Sequence, residues 1–303
     1  MTCAKCKTNP VIKLPNSEVS LCKSCFIHYF ERKVRKTIRK YKMFNKGDKI
    51  GVAISGGKDS LSLLHVLNKL FSEREINLIA ILIDEGIHGY RDASRKTAED
   101  YCKKNNIELY IYTFEDEFGY TLDKALKKLK VNPCTICGIF RRYLLNKYSQ
   151  KLNIKKLATG HNLDDEAQSI LMNEFKSNIA TSARLGPVTG LKKRKKFIQR
   201  IKPFYFLTEK EIMTYAYLNK LTDKFNDCPY TVDSFRNEVR DMLNKFDNKY
   251  PATKYSIIQS FLEVLPLLKK KYKNALVNSC DECGEVSSQK LCKACEYAEL
   301  LKK

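Results

Sequence analysis

Apolar and polar positions along this chain alternate between two periods. Short apolar runs of β-rich composition fall at 49–54, 78–83, 108–113 and 155–159. Between and after them, apolar residues return every three or four positions. Leu61, Leu64, His65 and the run 66–70 make the first such face, and 91–104, 121–130, 138–152 and 163–175 continue the series. Strand followed by helix, repeated in this way, predicts an α/β fold with a parallel sheet covered on both faces. Beyond it the chain reads as helical, over 208–219, 234–246 and 257–271, and residues 26–44 read as a basic helical stretch before the first strand. No internal repeat interrupts the middle of the chain.

Composition sharpens this picture in two ways. The 303 residues carry 43% apolar side chains, enough for one full domain and smaller modules. The longest unbroken apolar run, 78–83, is far too short to span a membrane, and the first residues form no apolar signal region, so a cytoplasmic protein is expected. The net charge is +22, from 56 basic and 34 acidic residues. A surface of that sign and size points to nucleic acid as the partner. Basic residues cluster after residue 30 (Arg32, Lys33, Arg35, Lys36, Arg39, Lys40, Lys42), in the five-residue run 192–196, and at Lys269, Lys270, Lys271 and Lys273.

Cysteine spacing adds metal chemistry. Ten of the twelve cysteines form C-x-x-C pairs. Cys3, Cys6, Cys22 and Cys25 make one four-thiolate set, and Cys280, Cys283, Cys292 and Cys295 another, both suited to tetrahedral zinc. The fifth pair, Cys134 and Cys137, precedes Arg141 and Arg142 at the opening of a helix, where a thiolate is favoured. Cys228 stands apart, and Cys102 reads as an ordinary helix cysteine. Three thiols are one short of a closed zinc site. A cluster with one iron left open, a zinc with a fourth ligand from elsewhere, and persulfide chemistry on Cys137 or Cys228 all remain possible readings.

Ser55-Gly56-Gly57-Lys58-Asp59-Ser60 lies between a predicted strand and helix. The two glycines allow close approach to a phosphate, the first helical N–H groups face it, Lys58 adds charge, Ser55 and Ser60 add hydroxyls, and Asp59 suits magnesium. The spacing differs from that of a Walker loop. A second turn of the same kind, Gly160-His161-Asn162-Leu163-Asp164-Asp165-Glu166-Ala167, follows the fourth strand.

These two motifs, with Cys134, Cys137 and Cys228, resemble the PP-loop tRNA 2-thiolation family, whose members carry a zinc module at each terminus. The resemblance covers nearly the whole chain. It implies that ATP is cleaved between its α and β phosphates, and that nucleotide is held by Ala53, Ile54, Ser55, Gly56, Gly57, Lys58, Asp59, Ser60, Ile83, Asp84, Gly160, His161, Asp164 and Asp165. It implies a 4Fe–4S cluster on Cys134, Cys137 and Cys228, with catalytic roles for these three and for Lys58, Asp59, Arg141 and Asp165. In the family, the C2 oxygen of a tRNA uridine is adenylated and a cluster-borne sulfur displaces AMP. The motif 84–92, the run 137–142 and Phe235-Arg236 with Arg240-Asp241 resemble the branch that acts at wobble position 34. The alternative branch acts on ribothymidine at position 54 and commonly has Lys where Arg141 stands. A PP-loop ligase without sulfur chemistry would leave the three cysteines idle, and a zinc-knuckle RNA-binding protein would leave both phosphate motifs idle.

The expected organisation is a zinc finger over 1–30, a basic helical linker over 31–47, the PP-loop domain over 48–250, a helical linker over 251–278 and a zinc ribbon over 279–303. Expected cofactors are ATP, magnesium, the cluster and two zinc ions. Expected partners are tRNA and a sulfur donor, either sulfide or a ubiquitin-like thiocarboxylate carrier, with a homodimer also possible.

Overall fold

The computed structural model describes residues 2–17, 19–71, 76–191, 197–221, 228–231, 234–273, 278–287 and 289–302. The basic run at 192–196 and the two residues before Cys228 lie outside these. The chain opens with a small hairpin, β1 (Ile12–Lys13) and β2 (Ser20–Leu21), and helix α1 (Lys23–Lys40). The central domain then runs β3 (Lys49–Ile54), α2 (Lys58–Phe71), β4 (Asn77–Asp84), α3 (Arg91–Lys104), β5 (Glu108–Thr113), α4 (Phe114–Phe118), α5 (Leu122–Lys128), α6 (Pro133–Lys151), β6 (Lys156–Thr159), α7 (Leu163–Phe175), α8 (Ile179–Ser182), β7 (Gln199–Ile201) and α9 (Glu209–Leu218). A short 3-10 turn at Pro229–Thr231 precedes α10 (Phe235–Lys249) and α11 (Thr253–Tyr272). The chain closes with a hairpin, β8 (Asn278–Ser279) and β9 (Val286–Ser287), and helix α12 (Lys293–Lys302).

The five central strands pair in parallel in the order β5-β4-β3-β6-β7. The α/β expectation holds, and β4 shows why. Ala80 and Leu82 pack into one core while Ile79, Ile81 and Ile83 pack into the other, so its uniformly apolar sequence serves two buried faces. The chain leaves β3 in one direction towards β4 and β5, then returns to place β6 and β7 on the other side. Such a reversal opens a crevice at the strands' C-terminal ends, here between β3 and β6.

Both terminal modules are part of these cores. Cys3, Leu21, Phe26, Phe30 and Val34 are buried together with Val52, Leu64 and Tyr215. Phe30 stacks on Tyr215 with centroids 4.0 Å apart. Helix α1, expected from residue 26, begins at Lys23 and crosses the boundary placed between 30 and 31. The second module places Ala294 and Leu301 against the α6 side of the sheet, with Leu144 and Leu145. Glu285 accepts from Asn146 Nδ2 at 2.5 Å and from Gln150 Nε2 at 3.0 Å, which ties that module to α6.

Three central elements had no sequence expectation, among them the four-residue helix α8. Strand β7 is three residues long and carries Gln199 and Arg200, so no apolar run marks it. Helix α4 is a single turn capped by Thr113 and ended by Gly119 in the left-handed region. Helix α6 starts five residues before the expected 138, with Asn132 as cap and Pro133 in its first turn. Cys102 is buried in α3, as an ordinary core cysteine is.

Candidate active site

The phosphate loop follows β3 and opens α2 at Lys58. Its two serines stitch it together. Ser60 Oγ donates to the Gly57 carbonyl and accepts from Ser55 N, both at 3.0 Å, and Gly57 N reaches Ser55 Oγ at 3.4 Å. Gly56 has φ +80, and a Cβ there would stand 1.9 Å from the Ser94 carbonyl oxygen. A Gly56→Ala protein therefore has to move the loop off α3. We expect nucleotide affinity to fall at least about tenfold and stability to drop by roughly 2 kcal/mol, read by nucleotide titration and thermal melting. Gly57→Ala, whose Cβ would meet only Ser55 Oγ at 3.5 Å, should melt with the parent.

The second motif meets the loop across the crevice. A Cβ on Gly160 would lie 3.1 Å from the Asp59 backbone carbon, so glycine permits this approach. Asn162 caps α7 in a reciprocal capping box with Asp165, and its Nδ2 reaches Asp59 Oδ1 at 3.4 Å. Burial pushes the Asp165 carboxyl up to about 7, and the Asp59 charge adds to that effect. Burial also raises Asp59, though Lys58 offsets part of the shift. His161 bonds Thr159 Oγ1 through Nδ1 at 2.9 Å. Burial, then Lys202 and Arg200, hold it well below the usual imidazole range, so it is neutral. Asp164 turns the other way. It accepts from Lys254 Nζ at 2.5 Å and from Glu209 N at 2.8 Å, tying α7 to α11 and α9.

Lys58 reaches Asp59 Oδ2 at 3.0 Å and Glu209 Oε1 at 2.9 Å. Burial opposes its charge, but the two carboxylates outweigh burial and raise its pKa. Glu209 has no motif around it, and only folding brings it to Lys58. Arg91 falls within the 84–92 motif, but only the fold gives it a role. This buried side chain donates to the Ser55 carbonyl at 2.9 Å and to the Ile83 carbonyl at 2.5 Å, and it pairs with the buried carboxylate of Glu85. Glu85 also faces Arg141 at 3.5 Å. The chain Ser55–Arg91–Glu85–Arg141 thus links the phosphate loop to α6. Ala53 and Ile54 end β3, and Ile83 and Asp84 end β4 beside it. Asp84 Oδ1 accepts from Gly86 N at 2.9 Å, and Oδ2 faces Arg95 at 3.3 Å.

Cys134, Cys137 and Cys228 gather at the other end of that chain of contacts. Cys134 and Cys137 occupy the first turn and a half of α6, and Cys134 N is capped by Asn132 at 3.0 Å. Cys134 Sγ lies 3.7 Å from the carbonyl of Tyr230, two residues after Cys228. Burial raises the Cys137 thiol to about 11 against the pull of Arg141. Burial likewise raises Cys228, and Cys134 adds to the shift.

The terminal quartets are tighter. In each, four sulfurs lie within 4.8 Å of one another, and among the described residues these are the groups that meet that limit. Zinc–sulfur bonds of about 2.3 Å put tetrahedral sulfurs roughly 3.8 Å apart, so both quartets fit zinc. N–H groups already point at sulfur, as Cys292 N does towards Cys280 at 3.2 Å.

A family of PP-loop domains matches residues 27–246. The chain is 36% identical over 302 residues to cytoplasmic tRNA 2-thiolation protein 1 of Danio rerio, covering 98% of this chain and 87% of that one. It is 37% identical to a probable sulfurtransferase of Methanocaldococcus jannaschii, covering 93% and 83%. This chain belongs to the PP-loop tRNA 2-thiolation family. Among solved structures, the U34-tRNA thiolase NcsA of Methanococcus maripaludis, determined with its 4Fe–4S cluster, superposes with a TM-score of 0.86 at 35% identity, covering 99% of this chain and 96% of that one. The Ser55–Ser60 turn lies inside the matched segment, and both motifs follow neighbouring strands, β3 and β6, at their C-terminal ends. No described helix is long and apolar enough to cross a membrane.

Proposed function

We propose that this PP-loop enzyme replaces the C2 oxygen of the wobble uridine, position 34 of tRNA, with sulfur while converting ATP to AMP and pyrophosphate. One observation carries the reading. The phosphate loop and the three-cysteine group are joined by the buried Arg91–Glu85 pair and Arg141 at the ends of adjacent strands. The likeness to the U34-tRNA thiolase supports position 34.

The chemistry divides into two displacements. Uridine O2 attacks the α-phosphorus of ATP, the bond to the pyrophosphate oxygen breaks, and the N3 proton goes to a base. Asp165, with its proton affinity near neutrality, suits that task. A hydrosulfide equivalent then adds at C2, and the C2–O bond breaks to release AMP. Loop N–H groups and Lys58 hold the phosphates through both steps. Asp59 beside them is the candidate magnesium ligand. Cys134, Cys137 and Cys228 would hold a 4Fe–4S cluster, which supplies a position for sulfur on the iron that no protein thiolate occupies. Their looser grouping than that of the zinc quartets suits a cluster better than a single ion. The reading implies action in the cytoplasm and tRNA as the partner, which the +22 charge supports.

The test is mass analysis of tRNA nucleosides from cells lacking the protein, with positions 34 and 54 scored separately. The expected result is loss of 2-thiouridine at position 34. Unchanged 2-thiouridine there would remove the assignment.

A further inference from the structure

A group of arginines beside the three-cysteine site has more positive charge than its surroundings answer. Arg141 faces Glu85, but among the described residues Arg142 and Arg200 enter no ion pair. They come from different elements, α6 and β7, and are brought together by the fold. Arg200 Nη2 donates to the Arg142 backbone carbonyl at 3.3 Å. Arg142 folds back along α6, and its Nη1 lies 3.1 Å from where a Cβ on Gly138 would stand. The absence of a side chain at Gly138 leaves room for the guanidinium beside the turn that bears Cys134 and Cys137. Arg142 remains exposed and Arg200 half-buried, so both can meet a ligand.

Like charges held this close repel. Arg200 is lowered to about 10 by burial, then by Arg142 and Arg141, and Arg142 is lowered by burial and Arg141. Both side chains keep their charge at neutral pH, and guanidinium groups that repel one another are stabilised by an anion between them. The planar guanidinium fork matches phosphate oxygens two at a time.

We propose that Arg142 and Arg200 form a binding site for a phosphodiester of the RNA backbone, gripping a linkage that flanks the uridine undergoing thiolation. The inference rests on the tRNA-thiolation reading above. A uridine must leave its stack for O2 to reach the α-phosphate, and a grip on the adjacent phosphate fixes the strand while its base turns inward. The site supplies position without reading sequence. The same chemistry could take pyrophosphate or a nucleotide phosphate, and the test separates these sources.

The experiment measures affinity of the intact protein for unmodified tRNA across a salt series, and for ATP in parallel. The variants are Arg142→Gln/Arg200→Gln and, with charge kept, Arg142→Lys/Arg200→Lys. The glutamine pair should weaken tRNA binding roughly tenfold or more and reduce the salt slope by about 1 to 2. ATP affinity should stay within twofold of the parent, which also reports an intact fold. The lysine pair should recover most of the slope. An anticodon stem-loop carrying a neutral methylphosphonate at a linkage flanking the uridine should bind the parent more weakly, and the glutamine pair no more weakly than the unmodified loop. Unchanged tRNA affinity and slope in the glutamine pair, or a fall in ATP or pyrophosphate affinity alone, would overturn the site. Failure of the parent protein to bind tRNA at all would instead overturn the functional reading, and this inference with it.

Discussion

Replacing Cys134, Cys137 or Cys228 singly with alanine is expected to abolish 2-thiouridine while ATP still binds. None of the three belongs to a terminal quartet, so both terminal cysteine modules should survive each change. Cys134 and Cys137 sit at the start of α6 and Cys228 before a short 3-10 turn, so none is a main core residue of the sheet. A three-thiolate cluster cannot spare a ligand, and iron should fall from about four per chain towards none while zinc stays at about two. Among the described residues the PP-loop is linked to this site through Arg91, Glu85 and Arg141 and does not share a side chain with it, so nucleotide binding should be within a few-fold of the parent. Uridine adenylated at O2 should accumulate, because the first displacement no longer has a second to follow it. Cys102→Ala, a change in the core of α3, should keep thiolation and iron. Normal 2-thiouridine from the Cys228→Ala protein, scored by nucleoside mass analysis, would break the three-cysteine model.

The second large effect concerns Asp59. Asp59→Ala should lower AMP formation by about 10²- to 10³-fold with tRNA affinity within a few-fold, because the role proposed for its carboxylate is in phosphate chemistry. The structure adds a reason beyond magnesium. Asp59 shares Lys58 with Glu209, and without it Lys58 is held from one side by Glu209 alone. Asp59→Asn keeps a polar group within reach of Asn162 but removes the charge, so it should be nearly as inactive. Single-turnover AMP release measured with excess enzyme decides the matter. An unaltered rate in both variants would remove the loop from the mechanism.

The two variants separate the halves of the reaction. On the proposed mechanism the cysteine changes should block sulfur transfer after activation, and the Asp59 change should block activation itself. A protein in which both kinds of change had the same consequence for adenylated tRNA would not work by two displacements.

Much of this protein was legible in the sequence because the physics involved is local. Uniform apolar runs marked β3 and β4, since a strand covered on both faces needs apolar residues at every position. Two glycines before Lys58 marked a place of close backbone approach, and Gly56 lies against the Ser94 carbonyl, whereas the tight approach of Gly160 to Asp59 came from the fold. Paired C-x-x-C spacing marked both terminal cysteine quartets, because ligand spacing within a knuckle is set by a tight turn. What only the tertiary structure decided involves contacts between distant segments. Arg91 lies within the 84–92 motif with no role readable from it, yet it is buried against Glu85 and holds the Ser55 carbonyl. Glu209 carries no motif and meets Lys58 because α9 packs on α2. Asp164 looks like part of the nucleotide site, but its carboxylate binds Lys254 and caps α9. Strand β7 is too short and too polar to show a period, and it is held by pairing with β6, which places Arg200 next to Arg142. Apolar patterning and turn chemistry act over a few residues and are written in order along the chain. The pairing of charges across a crevice depends on which strands lie side by side, and that is settled only when the sheet closes.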